Sequence, residues 1–347
     1  MKKILITGAA GTIGSELIEQ LLESGKYEII VIDNAESEIF YINEKYRNEE
    51  RVRCLFADIR DYNRLLFLCN DVDCIIHAAA LKHVEISELS PLDAVQTNIN
   101  GTSNVIRAAL ASESVTRVIY TSSDKAVNPT NVMGTTKLLG ERMITSAMNI
   151  GSSKHIVFSS TRFGNVLGSK GSVVPLFVKQ IRNGGPLTLT DSQMTRFIMT
   201  INEAAKLVLE ATDLAKGGEV FVTKMPVIRI LDLAHVMIEA LANSFGYKHK
   251  DIQIEEIGAR PGEKLFEELM THEEISRAVE LDKHFVISPA VPLFYKKIDY
   301  KNYAGNLTKI VKSPYTSSNE KYLSRSEIGY YLESHRILAP YVIGADL

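Results

Sequence analysis

Short runs of apolar residues alternate with longer amphipathic stretches through the first half of the chain. Continuous hydrophobicity is typical of strands that are covered on both faces, and the stretches between the runs have the periodicity of packing helices. Alternation of this kind predicts an α/β fold with a Rossmann-like, doubly wound parallel sheet. The runs that predict the first five strands are residues 4–6, 29–32, 52–56, 74–76 and 118–120.

The alternation loosens after about residue 165, where a Gly/Ser-rich segment leads into mixed strand-like and helix-like pieces. We therefore predict a second, smaller domain. The predicted boundaries are a Rossmann domain over 1–166, to which the chain returns around 195–222, a mixed α/β substrate-binding lobe over 167–290, and a C-terminal tail over 291–347 whose packing the pattern leaves open.

Charge and composition argue against several classes of protein. The chain has 39 Lys and Arg against 42 Asp and Glu, which gives no basic excess for nucleic acid or an anionic membrane surface. No apolar run is long enough to predict a membrane-spanning helix. Cys54, Cys69 and Cys74 lie in or beside apolar segments, so we expect reduced structural thiols and a cytoplasmic location. His77 and His83 have no third ligand near them in the sequence, so we expect no metal site.

The turn after the first strand carries Gly8, Gly11 and Gly14 in the spacing G-x-x-G-x-x-G. Glycines there allow a tight turn, close approach of the backbone to a pyrophosphate, and amides at a helix N-terminus directed at negative charge. Asp33 ends the second strand, where a carboxylate binds ribose hydroxyls, and no arginine directly follows it. The pattern predicts a dinucleotide site and favours NAD over NADP, with a glycine turn used only for packing as the alternative. The other predicted cofactor contacts are Thr12, Ile13, Asp58, Ile59, Ala78, Ala79 and Ala80.

Several segments in combination resemble the extended short-chain dehydrogenase/reductase family, and within it the nucleotide-sugar 4,6-dehydratases of polysaccharide and glycan synthesis, typified by UDP-N-acetylglucosamine 4,6-dehydratase. The segments are 8–14, 78–84, 122–129, 133–137, 162–166, 171–177 and 260–264. The resemblance implies NAD as cofactor and a nucleotide sugar as substrate, with UDP-N-acetylglucosamine as the first candidate. It also implies a homo-oligomer, a dimer or larger, with helices around 91–111 and 131–149 at the interface.

The resemblance implies a reaction in which the hexose is oxidised at carbon 4, loses water across carbons 5 and 6, and regains the hydride at carbon 6. An acid and a base must then lie on either side of one sugar. The resemblance gives the acid role to Asp124 and the base role to Lys125. Burial against the cofactor and the sugar would let Lys125 be partly neutral. An exposed ion pair in a turn is the alternative for this dipeptide.

One position departs from the family pattern Tyr-x-x-x-Lys, because Met133 stands where the tyrosine is usual, with Lys137 in place. A thioether cannot take the proton from a hydroxyl that is being oxidised. The resemblance to dehydratases with methionine at this position makes Ser123 the candidate for relaying that proton, with Asp124 as another acceptor. Lys137 would bind the nicotinamide ribose. The segments around Met133 and Gly168 favour retention of configuration at carbon 5.

The predicted substrate contacts also follow from the resemblance, because an arginine fork suits a diphosphate and a carboxylate suits a ribose diol. For Arg196 a surface ion pair is an equally good interpretation. The candidates are Lys82, Asn165, Ser172, Arg196, Arg260 and Glu263.

Two other functions remain open at this point. A nucleotide-sugar 4-epimerase could use the same scaffold but needs no Asp-Lys pair for elimination. A catalytically inactive NAD-binding protein would keep the fold without the tyrosine. The sequence leaves the nucleotide base and the exact sugar undecided.

Overall fold

The computed structural model describes residues 1–150, 155–258, 262–291, 293, 297–303 and 308–342. The chain forms two compact units. The first contains Met1–Phe163, Ala204–Lys224 and Met270–Pro314, and the second contains Gly164–Glu203, Met225–Leu269 and Tyr315–Leu347.

The strands, in chain order, are β1 (Lys2–Thr7), β2 (Tyr27–Asp33), β3 (Val52–Phe56), β4 (Cys74–His77), β5 (Arg117–Thr121), β6 (Val157–Arg162), β7 (Asn165–Val166), β8 (Leu187–Leu189), β9 (Thr195–Met199), β10 (Val220–Thr223), β11 (Val227–Arg229), β12 (Ile254–Glu256), β13 (Glu268–Met270), β14 (Ala278–Glu280), β15 (His284–Ile287), β16 (Lys309–Ile310) and β17 (Tyr315–Thr316).

The α-helices are α1 (Thr12–Ser24), α2 (Glu36–Lys45), α3 (Tyr62–Leu68), α4 (Val84–Leu89), α5 (Pro91–Ala94), α6 (Thr102–Ala111), α7 (Val132–Ala147), α8 (Val173–Arg182), α9 (Ile201–Leu214), α10 (Ile230–Leu241), α11 (Arg325–Ser334) and α12 (Ala339–Val342). A π-helical segment, Val95–Gly101, joins α5 to α6, and short 3-10 turns cover Asp124–Ala126, Asn243–Phe245, His249–Asp251 and Glu274–Arg277.

The first unit is built on a ten-stranded sheet in the order β16-β14-β15-β10-β6-β5-β4-β1-β2-β3. The seven strands from β10 to β3 are parallel, and β15, β14 and β16 continue the sheet in antiparallel fashion. The predicted Rossmann-like sheet is therefore confirmed. Its parallel strands are almost continuously apolar because helices cover both faces.

The helix that the glycine motif predicts and the helical region expected around 91–111 both form, with one difference. Helix α1 follows the glycine loop directly and ends before Gly25, which adopts a left-handed conformation with φ of 68°. The region 91–111 is helical throughout, but its middle is a π-helical segment. There Gly101 packs so closely that a Cβ would lie 2.6 Å from Cδ1 of Ile59.

The second unit contains the sheet β11-β9-β7 and the parallel pair β8 and β12. Helices α8 and α10 contribute Phe177, Ile181, Leu233 and Met237 to one apolar cluster, and α11 adds Ile328 and Leu332. A capping box, in which Ser324 and Glu327 bond reciprocally, begins α11. The last helical part of the chain is therefore a packed element of this unit.

The unit boundaries differ from those that the sequence predicted. Residues 270–290, expected in the smaller lobe, belong to the first unit because β15 pairs with β10 and β14 pairs with β15. The return to the first unit spans 204–224, because β9 pairs with β7 and β11 of the second unit. The predicted tail divides at residue 315. These pairings are long-range, so local periodicity does not reveal them.

Among the described residues, no helix is long and apolar enough to span a membrane. The three cysteines are free thiols. Burial raises the pKa of Cys69 and of Cys74 to about 12. The described residues contain no group of three or more His, Cys, Asp or Glu side chains that could hold a metal ion.

Candidate active site

The glycine loop lies directly against the end of β4. Gly8 has φ of +74°, and a Cβ there would lie 2.5 Å from the Ala79 nitrogen. A Cβ on Gly14 would lie 2.3 Å from the Gly8 oxygen. The amides of Gly8 and Ala9 both donate to the carbonyl of Ile32 on β2. Only glycine fits these two positions without moving backbone, so the loop is shaped by the neighbouring strands.

Two features of this loop fit a dinucleotide. Helix α1 begins after Gly11, with no side-chain cap and no acidic residue in its first turn, so its N-terminus can receive a phosphate. The carboxylate of Asp33 accepts hydrogen bonds from the amides of Ala10 and Ala35, each 3.0 Å long. Its position beside the loop is therefore fixed in advance. Thr12 and Ile13 form the first turn of the helix, as the motif predicts.

Asp58 and Ile59 follow β3, at the same edge of the sheet as Asp33. The Asp58 carboxylate binds Arg60, with the closest atoms 2.6 Å apart, and accepts a hydrogen bond of 3.1 Å from Asn34. Arg60 lowers the pKa of Asp58 to about 2. Ile59 is buried. Asp58 therefore stays anionic beside Asn34, which follows Asp33 in the chain.

The residues after β5 form a tight polar turn. Asp124 is 1% exposed, and its Oδ1 accepts from Ser123 Oγ (2.6 Å), the Lys125 amide (2.8 Å) and Lys125 Nζ (3.1 Å). Asp124 Oδ2 and Ser122 Oγ are buried without a hydrogen-bond partner among the described residues. Unsatisfied buried polar atoms are rare, and two at one strand end indicate a place for a polar ligand.

Helix α7 begins against this turn. The Asn131 side chain caps the helix by accepting a hydrogen bond of 2.8 Å from the Gly134 amide. A Cβ on Gly134 would lie 2.2 Å from the Lys125 carbonyl oxygen. Gly134 thus allows the approach that brings buried Met133 to the turn. The sequence analysis did not identify this role, although a glycine in the first turn of a helix is an unfavourable choice that signals one.

Lys137 lies one turn further along α7 and is buried. Its Nζ donates a hydrogen bond of 2.9 Å to the Thr121 carbonyl and stands 4.8 Å from the centre of the Tyr120 ring. Burial lowers the pKa of Lys137 to about 8. The structure therefore brings Lys137, Ser123, Asp124 and Lys125 to the end of one strand.

A chain of hydrogen bonds fixes the end of β4 beside the glycine loop. His77 Nδ1 is 2.7 Å from Thr7 Oγ1, and His77 Nε2 is 3.0 Å from Thr102 Oγ1. Because the Thr102 hydroxyl donates to the Asn98 carbonyl, we assign Nε2 as a donor and Nδ1 as an acceptor. Burial lowers the pKa of His77 to about 3. His77 is therefore a neutral structural group.

Asn98 on the π-helical segment is a second positioning residue that the sequence analysis missed. Its Oδ1 accepts from the Leu81 amide (2.8 Å), and its Nδ2 donates to the Leu81 carbonyl (3.0 Å) and to Thr136 Oγ1 (2.9 Å). These bonds fix the loop that carries exposed Lys82 and the residue before Lys137. A single asparagine in a helical stretch gives no local signal of this role.

Arg196 in the second unit is placed differently from the surface ion pair considered for it. It is buried, and its guanidinium donates to the carbonyls of Thr195 (2.8 Å), Lys264 (2.8 Å) and Leu265 (3.2 Å). Its Nε also lies 3.5 Å from a carboxylate oxygen of Glu267. Arg196 therefore holds the backbone that follows Glu263.

The structure describes three of the four remaining predicted substrate contacts of the second unit. Asn165 donates a hydrogen bond of 3.3 Å to the Phe197 carbonyl. Ser172 precedes α8, and its Oγ is buried without a hydrogen-bond partner in the described parts of the chain. Glu263 is exposed. Arg260 lies outside the described residues.

Comparison with known proteins identifies the family of this chain. The family model described as "Polysaccharide biosynthesis protein" matches residues 4–289. The chain belongs to this family. It is 48% identical, over 94% of both chains, to an uncharacterized membrane protein of Methanocaldococcus jannaschii. It is 38% identical, over 92% of both chains, to an inverting UDP-N-acetylglucosamine 4,6-dehydratase of Campylobacter jejuni. The structure of Pen from Bacillus thuringiensis is 42% identical and superposes with a TM-score of 0.88, covering 97% of this chain and 98% of that one.

Two further relatives bear on cofactor and chemistry. A UDP-glucose 4-epimerase of Rickettsia bellii is 36% identical over 94% of both chains. A UDP-glucuronic acid 4-epimerase of Bacillus cereus, solved with NAD, is 25% identical with a TM-score of 0.65, covering 76% of this chain and 88% of that one. Structural relatives of this chain thus bind NAD. The resemblance to short-chain dehydrogenases/reductases of the nucleotide-sugar 4,6-dehydratase type is confirmed.

The buried state of His77 predicts a pH dependence of folding. Its pKa in the folded chain, about 3, lies below the ordinary value of 6.5, so the unfolded chain binds the proton first as pH falls. This contribution to stability is complete above about pH 6.5 and is lost progressively as the pH falls towards 3. The melting temperature should fall less steeply with falling pH in His77→Asn than in the wild type. His249→Asn, at an exposed position, should keep the wild-type slope, and an unchanged slope for His77→Asn would contradict the assignment.

Proposed function

We propose that the protein is an NAD-dependent 4,6-dehydratase that converts UDP-N-acetylglucosamine to a UDP-4-keto-6-deoxy-N-acetylhexosamine. The observation that carries this proposal is the turn after β5, where buried Asp124 pairs with Lys125, which is 27% exposed, and where Oδ2 of Asp124 is unpartnered among the described residues. Elimination of water needs an acid and a base that both reach one sugar. The relative from Campylobacter jejuni, named as a UDP-N-acetylglucosamine 4,6-dehydratase, supports the substrate.

The glycine loop and Asp33 are the proposed cofactor contacts, with Ala78–Ala80 and Asp58 at neighbouring strand ends. NAD, when bound, accepts a hydride from the sugar and later returns it. Asp33 favours NAD over NADP because a fixed carboxylate repels a 2′-phosphate. Lys137 would bind the nicotinamide ribose and supply positive charge beside the strand end.

Ser123 is the proposed replacement for the missing tyrosine. Its Oγ already donates to Asp124 Oδ1 over 2.6 Å, so a proton taken from the carbon 4 hydroxyl can pass through Ser123 to Asp124. Met133 leaves no acid–base group at the usual tyrosine position. Asp124, once protonated, can then give the proton to the carbon 6 hydroxyl as it leaves as water.

Lys125 is the proposed base at carbon 5. Its ammonium group bonds to Asp124 Oδ1 over 3.1 Å, so protonation of Asp124 removes the negative charge that favours the ammonium form. Arrival of the carbon 4 proton at Asp124 therefore prepares Lys125 to accept the carbon 5 proton. The same amine can return that proton to carbon 5 after the hydride reaches carbon 6.

Return of the proton by the group that removed it favours retention at carbon 5, and we propose retention. The Campylobacter jejuni relative is named as an inverting enzyme. The configuration of the product at carbon 5 therefore decides between retention and inversion for this chain.

The proposed substrate contacts are Lys82 for the sugar, Arg260 and Glu263 for the nucleotide diphosphate and its ribose, and Asn165 and Ser172. Arg196, first predicted as a diphosphate ligand, would act mainly by holding the backbone of Lys264 and Leu265. We also propose a cytoplasmic location, on the basis of the three free thiols.

A UDP-glucose 4-epimerase is the second candidate, because a relative with that name covers almost the whole chain. Epimerisation needs a hydroxyl acid–base group at carbon 4 but no pair for removing the carbon 5 proton. The Met133 position and the Asp124–Lys125 turn both favour the dehydratase.

The deciding experiment is proton NMR of the purified protein with UDP-N-acetylglucosamine in deuterated water. We expect a new methyl signal and deuterium at carbon 5, because the base exchanges its proton with solvent before returning it. Ring couplings then give the configuration at carbon 5. A galacto-configured product without a methyl group would establish the epimerase instead. No reaction, with NAD bound, would favour an inactive NAD-binding protein or another nucleotide sugar.

Ser123→Ala tests the relay. We expect turnover to fall by about 100-fold or more while NAD affinity is unchanged, because only the proton path is removed. Thr135→Ala, at an exposed position of α7, is the matched control and should keep normal turnover. Normal turnover in Ser123→Ala would exclude Ser123 from the mechanism.

We propose a homo-oligomer formed through helices of the first unit. Ile86, Leu89, Leu92, Val95 and Leu139 are each at least 40% exposed. They lie on α4, α5, α7 and the first residue of the π-helical segment, and these elements contact one another. A second copy of the chain would bury this apolar surface.

Light scattering after size exclusion tests this interface. We expect at least twice the 38.6 kDa chain mass for the wild type and the chain mass for the double variant Leu89→Glu, Leu92→Glu. Phe67→Glu, a change at an equally exposed apolar residue on α3, should remain oligomeric. A monomeric wild type would refute the proposal.

A further inference from the structure

The ammonium group of Lys137 is buried with few polar partners. Lys137 is 6% exposed, and among the described residues its Nζ donates one hydrogen bond, of 2.9 Å, to the Thr121 carbonyl. An ammonium group has three donors, and burying its charge is costly unless neighbouring groups stabilise it. Whatever else faces Nζ therefore decides how firmly the ammonium group is held.

The face of the Tyr120 ring lies beside this ammonium group. Nζ of Lys137 stands over the ring, 4.8 Å from its centre. The negative face of an aromatic ring attracts a cation within about 6 Å, and the attraction is stronger where water is excluded. Tyr120 is 1% exposed. The contact therefore has both the distance and the burial of an effective cation–π interaction.

Two neighbours fix the ring beside Lys137. On β4, the ring of His77 lies 5.6 Å from the Tyr120 ring, centre to centre. On α7, a Cβ on Gly140 would lie 2.5 Å from the Tyr120 hydroxyl oxygen. Gly140 follows Lys137 by three residues, so both lie on one face of the helix. Glycine inside a helix is unfavourable by itself, and the room that the ring takes up explains it here.

The ring of Tyr120, and not its hydroxyl, makes this contact. The hydroxyl is buried without a hydrogen-bond partner among the described residues. Burial raises the pKa of the hydroxyl, so it stays neutral and offers Lys137 no negative charge. A phenylalanine ring would therefore serve Lys137 as well, whereas an aliphatic side chain would not.

We propose that Tyr120 is a positioning residue whose ring face holds the ammonium group of Lys137 at the end of β5, beside the Thr121 carbonyl. This inference deepens the proposed function and rests on it for what Lys137 does to the cofactor. The contact itself belongs to the folded chain, so it can be measured without cofactor or substrate.

The other polar side chains at this strand end do not make such a contact. His77 on β4 is neutral because burial lowers its pKa to about 3. The Asp124 carboxylate is paired with Lys125. On the helices beside α7, the charged side chains are exposed to solvent, which screens them. These residues are Glu85, Glu88, Asp93 and Arg107.

Glu141, one turn after Lys137 on α7, acts in a different way. Burial lowers the pKa of Lys137 to about 8, and the charge of Glu141 opposes that shift. The Glu141 carboxylate is bonded to Arg162 on β6, over 2.8 and 2.7 Å, and Arg162 also pairs with Glu274. Glu141 therefore acts on Lys137 through its charge, whereas the Tyr120 ring lies against the ammonium group.

NMR of the folded protein with ¹³Cε-labelled lysine tests the contact directly. Lys137→Arg identifies the Lys137 signal by removing it. In the wild type the protons on Cε of Lys137 should resonate upfield of those of other lysines, because the ring current shields nuclei over an aromatic face. An ordinary chemical shift would overturn the inference without the need for any further variant.

Two substitutions of Tyr120 separate the ring from the hydroxyl. Tyr120→Leu should abolish the upfield shift and lower the titration midpoint of Lys137 by about one pH unit, because the ring favours the ammonium form. Tyr120→Phe should keep both the shift and the midpoint of the wild type, because the ring face remains. An unchanged midpoint in Tyr120→Leu would contradict the proposal.

Phe158→Leu is the matched control for lost packing. Phe158 is a buried aromatic residue on the neighbouring strand β6 and belongs to the same apolar cluster as Tyr120. The substitution should lower the melting temperature, because it removes buried apolar volume, and leave the Lys137 signal and midpoint unchanged. Equal changes of the midpoint in Phe158→Leu and Tyr120→Leu would assign the effect to packing and overturn the inference.

Cofactor binding separates this inference from the proposed function. Because the proposed role of Lys137 is to bind the nicotinamide ribose, Tyr120→Leu should weaken NAD binding by about 5-fold or more, and Tyr120→Phe should bind NAD like the wild type. A wild-type chain that neither binds NAD nor turns over a nucleotide sugar would refute the proposed function. The NMR signal of Lys137 would still decide the inference.

Discussion

Parallel pairing of β1 with β2 on one side and β4 on the other determines where the chemistry of this protein can lie. Parallel strands end at the same edge of a sheet, so the glycine loop, Asp33 and Ala78–Ala80 meet there. The same register through β4 and β5 adds the Asp124 turn. The loop amides of Gly8 and Ala9 use the Ile32 carbonyl of the neighbouring strand. The glycine loop is thus a continuation of the sheet's hydrogen bonding.

Buried polar groups then fix the parts of this edge that the sheet does not reach. Neutral His77 joins Thr7 to Thr102, and Asn98 joins the loop after β4 to α7. Because a buried polar group without a partner is costly, each bond in this chain restricts the others. Among the described residues, Asp124 Oδ2 and Ser122 Oγ are two of the few buried side-chain atoms without a hydrogen-bond partner.

The close contact between α7 and the Asp124 turn links the candidate site to the buried ion pair of Glu141 and Arg162. Gly134 permits the contact, Lys137 follows it, and Glu141 leads to Arg162. Lys137 and Glu141 lie on the buried face of α7, and Glu141 pairs with Arg162 on β6.

The sequence by itself determined the elements and chemistry that depend on neighbours along the chain. Helix α1 with its glycine loop, the first five strands, the Asp124–Lys125 dipeptide and the methionine at the tyrosine position were all visible, because periodicity and motif spacing are local. Sequence also indicated the family, which the comparisons confirm.

Only the tertiary structure decided which distant residues meet. The addition of β14 and β15 to the first sheet, the role of Gly134, the clamp made by Asn98 and the pairing of Arg162 with Glu274 all join residues far apart in the chain. Arg196 likewise became a buried support for backbone carbonyls. Side-chain type and spacing record what a residue can bond to, but burial and long-range pairing choose its partner.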